Sequence, residues 1–246
     1  MKSFLKKILQ KNHTRKNFYS VDLHSHLVAG IDDGAKTIED ALFLVRGLVG
    51  LGFKKLIVTP HTMQHRFNNS SENILREFRH LQAAVRAEGL DIKLEVASEY
   101  YLDEQFFDLL EKRDLLTFGD FYLLFEHSVG MKPPDYEALI FEIKVAGYKP
   151  VLAHPERYLF LHKEFQTYER LKEMGVYFQL NLNSLSGYYS KEVQKVAHKL
   201  VENGWIDFVG SDMHHAKHLK YFSENLHSKN IEKVFHYNKI LNQQLL

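Results

Sequence analysis

The sequence contains no cysteine among its 246 residues. The chain therefore forms no disulfide, offers no thiolate to a metal and has no cysteine nucleophile. Enzymes whose catalysis needs a cysteine thiolate are excluded on this ground. The absence also fits a protein of a reducing compartment, and we predict a cytoplasmic location.

The chain also lacks an excess of charge of either sign and any long hydrophobic run. Its 32 basic and 31 acidic residues give a formal net charge of +1, so no overall field favours nucleic acid or an anionic membrane. No apolar run reaches the roughly 20 residues that a transmembrane helix needs. What is present, 45% hydrophobic residues, is enough for the core of one barrel-sized domain.

Residues 1–18 form a basic tail that we separate from the domain at residues 19–246. Lys6 and Lys7 interrupt its short apolar stretch, which excludes the core of a signal peptide. A weak amphipathic segment that binds a surface is one interpretation, and it would place the protein peripherally at the inner membrane face. A solvated tail or a short docking helix is the simpler interpretation, and we favour it.

Seven short apolar runs alternate with stretches of helical spacing. The predicted strands are Tyr19–His24, Lys55–Thr59, Ile92–Ser98, Phe121–Glu126, Pro150–Ala153, Val176–Leu180 and Ile206–Gly210. The predicted helices are Thr37–Leu51, Ser70–Glu88, Tyr136–Ala146, Glu164–Met174 and Ser190–Glu202. Each of these helices has a glycine within two residues of its end, where helices commonly stop.

This alternation predicts an α/β fold with a parallel sheet and helices outside it. Seven strands favour a distorted, TIM-like (β/α)7 barrel. A doubly wound open sheet is the alternative, but that fold collects its ligands from few strands at one crevice. Here polar residues follow nearly every strand, which favours the barrel.

Histidines and acidic residues stand at the ends of nearly all these strands. His24 and His26 alternate along the end of the first strand, which puts both side chains on one face. Asp33 lies in a short loop between Gly30 and Gly34, which can turn its carboxylate back over the site, while Asp32 is either its supporting neighbour or a solvated turn residue. The other candidate ligands are His61, Glu99, Glu126, His154, Asp212 and His214. His127 should face away from them.

The carboxyl ends of parallel strands meet at one rim of a barrel, so we expect these side chains to converge. A carboxylate such as Glu99 could bridge two cations and offset their repulsion. Glu126 follows five apolar residues, a costly place for an acid unless it is paired or bound to metal. Nitrogen and oxygen ligands without sulfur suit two or three divalent cations such as Mn, Fe or Zn. The pattern predicts a metal-dependent hydrolase, although His-x-His alone would equally fit an ordinary histidine pair.

These motifs resemble the polymerase-and-histidinol-phosphatase (PHP) superfamily, whose domains are distorted seven-stranded barrels with a trinuclear metal site. The matching segments are Asp22-Leu-His-Ser-His26, Thr59-Pro-His61, Ser98-Glu99, Glu126, Ala153-His-Pro-Glu-Arg157 and Ser211-Asp-Met-His214. Within the superfamily, the chain is similar to the bacterial capsular-polysaccharide tyrosine phosphatases, which include manganese-dependent enzymes. The resemblance covers Val21 to Leu219.

The resemblance implies a ligand set for three ions, with manganese favoured over iron or zinc. The first ion would be held by His24, His26, Glu99 and Asp212. Glu99 would bridge to the second, which Glu126 and His154 would complete. The third would be held by Asp33, His61 and His214. We assign catalytic roles to Arg157, Asp33 and His61, and substrate binding to Arg157, Arg66 and Lys217.

Phosphate binding is the one place where the chain departs from the family pattern. Arg157 would contact the phosphate, although a salt bridge with Glu156 or a helix-cap contact is an alternative for it. Family members can carry a second arginine shortly after the final Asp-x-His motif. This chain has Lys217, His218 and Lys220 there, so the second cationic contact is open at this point.

The implied activity is hydrolysis of phosphotyrosine by water that metal ions activate. The implied substrate is the tail of a bacterial tyrosine autokinase that controls capsule or exopolysaccharide synthesis. A small-molecule phosphomonoesterase, such as a histidinol-phosphate phosphatase, is the first alternative. A second alternative is an amidohydrolase-like or nuclease activity. Such barrels usually carry a bridging lysine at the position of Glu99, so this residue argues against it. A third alternative is a non-catalytic regulatory barrel, and the complete set of candidate ligands argues against that one.

Overall fold

A computed structural model describes residues 18–246 of the chain. The prediction of a basic tail at residues 1–18 therefore lies outside the described residues, except for Phe18. Among the described residues, no helix is both long enough and apolar enough to cross a bilayer.

Strands and helices alternate along the described chain, as predicted. The strands are β1 (Val21–Leu23), β2 (Lys55–Val58), β3 (His61–Thr62), β4 (Lys93–Val96), β5 (Glu99–Tyr101), β6 (Tyr122–Glu126), β7 (Lys149–Ala153), β8 (Tyr177–Asn181) and β9 (Phe208–Gly210). The helices are α1 (Ile38–Gly50), α2 (Ser71–Ala87), α3 (Glu104–Lys112), α4 (Tyr136–Val145), α5 (Leu159–Lys163), α6 (Gln166–Glu173), α7 (Lys191–Glu202), α8 (Ala216–Asn225) and α9 (Lys229–Tyr237).

All strand pairings between residues 18 and 246 are parallel, and they form two sheets. The smaller sheet has the order β1-β2-β4, and the larger has the order β3-β5-β6-β7-β8-β9. The prediction of an α/β fold with parallel strands is therefore confirmed.

The described residues form nine strands, which differs from the predicted seven. Two predicted strands are each followed by a second short strand, β3 after β2 and β5 after β4. Pro60 has no N–H to donate between β2 and β3. Between β4 and β5, the N–H of Ser98 donates to Leu116 O at 3.2 Å rather than to a neighbouring strand. Beyond the two breaks, His61 and Glu99 lie side by side in register.

Buried polar contacts join the end of β1 to the segment after β9. The Asp22 carboxylate accepts hydrogen bonds from the N–H and the hydroxyl of Ser211, at 2.9 and 2.6 Å. Burial raises the pKa of Asp22 to about 7, although both bonds from Ser211 lower it. The Asp212 N–H donates to His24 O, and the His26 N–H donates to Met213 O, both at 2.9 Å. Two distant motifs thus lie next to each other.

The helices begin where the sequence supplies caps, and they bury their apolar stripes. The hydroxyls of Thr37 and Ser70 accept bonds from the third residues of α1 and α2. Every member of the predicted stripe of α2 is buried, namely Ile74, Phe78, Leu81 and Val85. A separate buried cluster contains side chains from several strands, including the fully buried Leu23, Leu124 and Val151.

Gly210, the last residue of β9, lies close to the end of β1, which belongs to the other sheet. A Cβ at this position would lie 2.0 Å from Leu23 O and 3.1 Å from His24 Cβ. We therefore expect Gly210→Ala to separate β9 from β1 and to lower the free energy of unfolding by about 1–3 kcal/mol. Urea denaturation would measure the change.

Gly130→Ala is the matched control, because a Cβ there would meet nothing within 4 Å. Equal stability of the two variants would contradict the expected crowding at Gly210.

Candidate metal centre

All nine predicted ligands come together at the carboxyl ends of the strands. Their donor atoms fall into four overlapping groups within the described chain, and in each group the atoms lie within 4.8 Å of one another. The groups are His24, His26 and Asp212; His24, Glu99 and His154; His61, Glu99 and Glu126; and His26, Asp33, His61 and His214.

Three of these residues have a positive φ angle, a backbone conformation that residues other than glycine rarely adopt. The φ angles are 78° at His24, 35° at His154 and 48° at Asp212. Each of the three follows a strand, so the left-handed turn at that point redirects a side chain that would otherwise continue the strand's alternation. Strain of this kind persists only where the surroundings hold it, and it clusters at functional sites.

Glu99 lies at the centre of the cluster and is fully buried. Its Oε2 atom is 3.1 Å from His24 Nε2, 3.1 Å from His61 Nδ1 and 3.4 Å from His26 Nε2. Its Oε1 atom is 3.0 Å from His154 Nε2. Burial would raise the pKa of Glu99, but electrostatic interactions with His24 and His61 hold it well below the usual range. The site therefore contains an ionised carboxylate in the protein interior.

Several donor atoms of the cluster are buried without a hydrogen-bond partner. They are His24 Nε2, His26 Nε2, Asp33 Oδ1, His61 Nδ1 and Glu99 Oε2. Unpaired buried polar atoms are costly. Here they face one another across short distances, so cations between them would satisfy several at once. Imidazole and carboxylate donors without sulfur fit divalent ions such as Mn, Fe or Zn.

Of the two sequence-based interpretations of Asp32, the structure favours a residue that supports the neighbouring ligands over a solvated turn residue. Its Oδ2 atom lies 2.7 Å from His26 Nδ1 and accepts the His61 N–H at 3.1 Å. Its Oδ1 atom accepts the Gly34 N–H at 2.9 Å. Burial would raise the pKa of Asp32, but the charge of His26 lowers it. The His26 ring is thereby oriented with Nε2 toward Glu99.

Asp33 lies at the more open edge of the cluster. Its side chain is 38% exposed, and its Oδ1 atom is 3.4 Å from His214 Nε2 and 3.5 Å from His61 Nε2. The polar contact with His214 lowers the pKa of Asp33. The Arg66 guanidinium reaches Asp33 Oδ2 at 3.3 Å from the solvent side.

Arg157 faces the cluster and not Glu156. Its Nη1 atom donates to Asp212 Oδ2 at 3.2 Å, and its guanidinium lies over the ring of Tyr189 at 4.7 Å. Glu156 is instead buried against Ser184 Oγ, at 2.7 Å. The alternative of a salt bridge between Arg157 and Glu156 is therefore wrong.

Seven of the nine predicted ligands line one cavity of about 480 Å³, and Arg157 and Arg66 line it with them. His218 also lines this cavity and is almost fully buried. Burial lowers the pKa of His218 to about 4, so the ring is neutral near pH 7. Lys217 is exposed, with its ammonium 5.9 Å from the centre of the Tyr188 ring. Its role in substrate binding stays a prediction.

Sequence reasoning missed three side chains that touch the ligands. Gln179 Oε1 is 2.6 Å from His24 Nδ1, and Asn181 Nδ2 donates to Asp212 Oδ2 at 2.7 Å. The Tyr189 hydroxyl is 3.2 Å from the same oxygen. The sequence does show two amide residues, Gln179 and Asn181, two positions apart at the end of an apolar strand. Because buried amides need hydrogen-bond partners, this pattern could have indicated that they contact the ligands.

His127 is turned away from the ligand groups, as predicted. Its Nε2 atom is 2.9 Å from the hydroxyl of Tyr136, and its ring stacks on Tyr158. Burial lowers the pKa of His127 to about 3. The ring is therefore a neutral part of the cavity wall.

This geometry can bind cations and an anion side by side. Seven of the predicted ligands line the cavity, and Arg157 lines it with them. An anionic group that entered would meet bound cations and a planar donor together, which is the arrangement that phosphoryl oxygens require.

Comparison with known proteins agrees with this geometry. The family model described as "Capsular polysaccharide synthesis, CpsB/CapC" matches residues 20–237. The tyrosine-protein phosphatase YwqE of Bacillus subtilis is 29% identical over 220 residues, which are 87% of this chain and 85% of the relative. The tyrosine-protein phosphatase CpsB of Streptococcus pneumoniae is 28% identical over 200 residues, which are 79% of this chain and 82% of the relative.

A solved structure resembles this chain over nearly its whole length. It comes from work on YwqE from Bacillus subtilis and CpsB from Streptococcus pneumoniae, described as "unique metal-dependent tyrosine phosphatases". The TM-score is 0.81 at 28% identity, and the match covers 92% of this chain and 90% of the solved one.

The unpaired atoms around Glu99 predict that divalent cations stabilise the fold. After treatment with a chelator, Mn²⁺ at 100 times its Kd should add about 2.7 kcal/mol to the free energy of unfolding. Thermal melts with and without Mn²⁺ would show the effect. Glu99→Gln should lose most of this gain, because Glu99 belongs to two of the four ligand groups.

Glu77→Gln serves as the control, since Glu77 lies on α2 and pairs with Arg76 and His80 away from the cluster. If Mn²⁺ left the melting temperature unchanged, or stabilised Glu99→Gln as much as the unsubstituted chain, the assignment of Glu99 would be wrong.

Proposed function

We infer the function from one premise, which is that this chain belongs to the CpsB/CapC family of capsular polysaccharide synthesis. The chain is a metal-dependent protein-tyrosine phosphatase, a phosphoric monoester hydrolase. The observation that carries this conclusion is the convergence of nine nitrogen and oxygen donors, seven of which line the cavity together with Arg157.

We propose that the centre holds two or three divalent ions, with manganese favoured over iron or zinc. Overlap between the ligand groups supports more than one ion, because His24, His26, His61 and Glu99 each belong to two groups. The proposed sets are His24, His26, Glu99 and Asp212 for the first ion; Glu99, Glu126 and His154 for the second; and Asp33, His61 and His214 for the third.

Divalent ions bound there would neutralise charge on the phosphoryl oxygens and lower the pKa of water. Arg157 binds the phosphate through its planar fork of donors, a geometry that lysine cannot copy. Asp212 and the Tyr189 ring fix the direction of that fork. Asp33 and His61 orient the attacking water, a role supported by their position at the more exposed edge of the cluster.

The cavity also suits an aryl phosphate. Met63, Tyr101 and Val129 line it beyond the cluster and offer apolar surface to a tyrosine ring. A phenolate is a good leaving group, so the reaction does not depend on a strong general acid. We place Arg66 and Lys217 as further contacts to substrate, Arg66 on the cavity wall and Lys217 outside it.

We propose that the substrate is a protein that carries phosphotyrosine, in particular the tail of a bacterial tyrosine autokinase in capsule or exopolysaccharide synthesis. The family description and the names of the relatives support this proposal. The proposed location is cytoplasmic, with a peripheral position at the inner membrane face, where such a kinase would present its tail.

We also propose that the two sheets belong to one distorted, seven-stranded barrel of the PHP type. Hydrogen bonds that continue across the breaks support it, namely Ala97 N–H to Val58 O at 2.9 Å and Glu99 N–H to Pro60 O at 3.1 Å. On this view, β2 with β3 and β4 with β5 are two interrupted strands. A parallel bridge between Ser25 and Met213 joins the segment after the first strand to the segment after the last.

Substrate class is tested by comparing a phosphotyrosine peptide with histidinol phosphate at equal Mn²⁺ concentration. We expect a higher kcat/KM for the peptide, because the cavity wall matches an aryl ring. Phosphate release measures both rates. A preference for histidinol phosphate would favour the small-molecule phosphatase, and hydrolysis of neither would exclude a phosphatase.

Arg157→Lys should lower kcat/KM for the phosphotyrosine peptide about 10- to 100-fold, since charged hydrogen bonds are worth roughly 1.5–3 kcal/mol. Bound Mn²⁺ should stay unchanged. Arg170→Lys is the control, because Arg170 pairs with Glu137 on the outer surface. If both variants kept full activity, Arg157 would not bind the phosphate.

A further inference from the structure

Strand β8 supplies no candidate ligand, but two of its side chains join two ligands. Gln179 and Asn181 are both fully buried. They lie two residues apart on one strand, so both side chains point to the same face. That face is occupied at one end by His24 and at the other by Asp212.

Three short hydrogen bonds run between these two ligands through the amides. His24 Nδ1 lies 2.6 Å from Gln179 Oε1. Gln179 Nε2 lies 3.0 Å from Asn181 Oδ1. Asn181 Nδ2 lies 2.7 Å from Asp212 Oδ2. We call this series of four side chains the amide relay.

The direction of every bond in the amide relay follows from the charge of Asp212. An ionised carboxylate only accepts hydrogen bonds, so Asn181 must turn its NH₂ group to Asp212. Its carbonyl oxygen then faces Gln179, which must donate to it through Nε2. Gln179 is left with its carbonyl oxygen toward His24, and this acceptor requires a proton on His24 Nδ1.

The consequence for His24 is a single tautomer. With the proton on Nδ1, the lone pair of the neutral ring is on Nε2. That atom is buried without a hydrogen-bond partner, 3.1 Å from Glu99 Oε2 and 3.4 Å from Asp212 Oδ1. It therefore points at the place where a cation would lie.

The same network also selects one oxygen of Asp212. Asn181, Tyr189 and Arg157 all reach Oδ2, at 2.7, 3.2 and 3.2 Å. Oδ1 is left facing the histidines, 3.4 Å from His24 Nε2 and 3.5 Å from His26 Nε2.

We propose that Gln179 and Asn181 are positioning residues that couple the ionised carboxylate of Asp212 to the tautomer of His24. They prepare the His24 and Asp212 donors for one cation. This inference rests on the metal centre of the proposed function and adds to it how two ligands are oriented. His26 differs, because Asp32 accepts from its Nδ1 atom directly. A neutral amide at position 179 performs that task without a second buried negative charge near Asp212.

Gln179→Met tests the proposal, because methionine keeps the length of the side chain but removes the amide. The full chain is freed of metal with a chelator and titrated with Mn²⁺ in a calorimeter. We expect the affinity for at least one ion to fall about 10- to 100-fold, the usual cost of losing a partner that orients a ligand. Circular dichroism of the metal-free proteins checks the fold.

Gln194→Met is the matched control, since Gln194 donates to Leu185 O at 2.9 Å outside the cluster. It should bind Mn²⁺ like the unsubstituted chain. If Gln179→Met did the same, or if both variants lost affinity equally, the amide relay would have no special role. If the unsubstituted chain took up no Mn²⁺, the proposed metal centre would fail, and this inference with it.

A second measurement needs no substitution in the amide relay. Nitrogen-15 spectra of histidine rings in the zinc-loaded chain distinguish a coordinated nitrogen from a protonated one, and His24→Gln identifies the His24 signals. We expect a protonated Nδ1 and a coordinated Nε2 at His24. Coordination through Nδ1 would overturn the proposal even if Gln179→Met failed to fold.

Discussion

The interaction on which the site depends is the buried carboxylate of Glu99 among four imidazoles. A charge in the interior is tolerated only when it is paired, and here each neighbour is itself buried or nearly so. The imidazoles follow the ends of three strands, β1, β2 and β7, so the carboxylate requires those three ends to meet. Left-handed turns at His24 and His154 are part of the same constraint, because the packing that holds the strained backbone also aims the rings at Glu99.

The alternation of strands and helices could be predicted from the sequence, and so could the nine side chains that the structure brings together. Each of these features corresponds to a local sequence pattern, such as a run of β-branched residues, a glycine after a helix, or a charged residue after an apolar run. Glu126 shows why this works, since a carboxylate there makes sense only at a strand end that faces other polar groups. Parallel strands then bring all such ends to one side, whatever their separation in the chain.

Other features depend on contacts that a local pattern does not encode. The breaks at Pro60 and Ser98 follow from where neighbouring strands find their hydrogen bonds. Helix α3 was not predicted, although its Asp103 cap and its buried Phe106 and Leu110 are visible afterwards. Successive residues of α8 point about 100° apart, so its start at Ala216 turns His218, and not Lys217, to the cavity. Gln179 and Tyr189 show their importance only through the residues that they touch.

The bond between Asp22 and Ser211 spans 189 positions of the chain. Contacts of such separation slow folding, because a long loop must close before they form. Asp212 and His214 come from the same late segment, so during synthesis on the ribosome the cluster stays incomplete until most of the chain has emerged. Cations would thus find their full set of ligands only at the end of folding, so that only the completely folded chain would bind them fully.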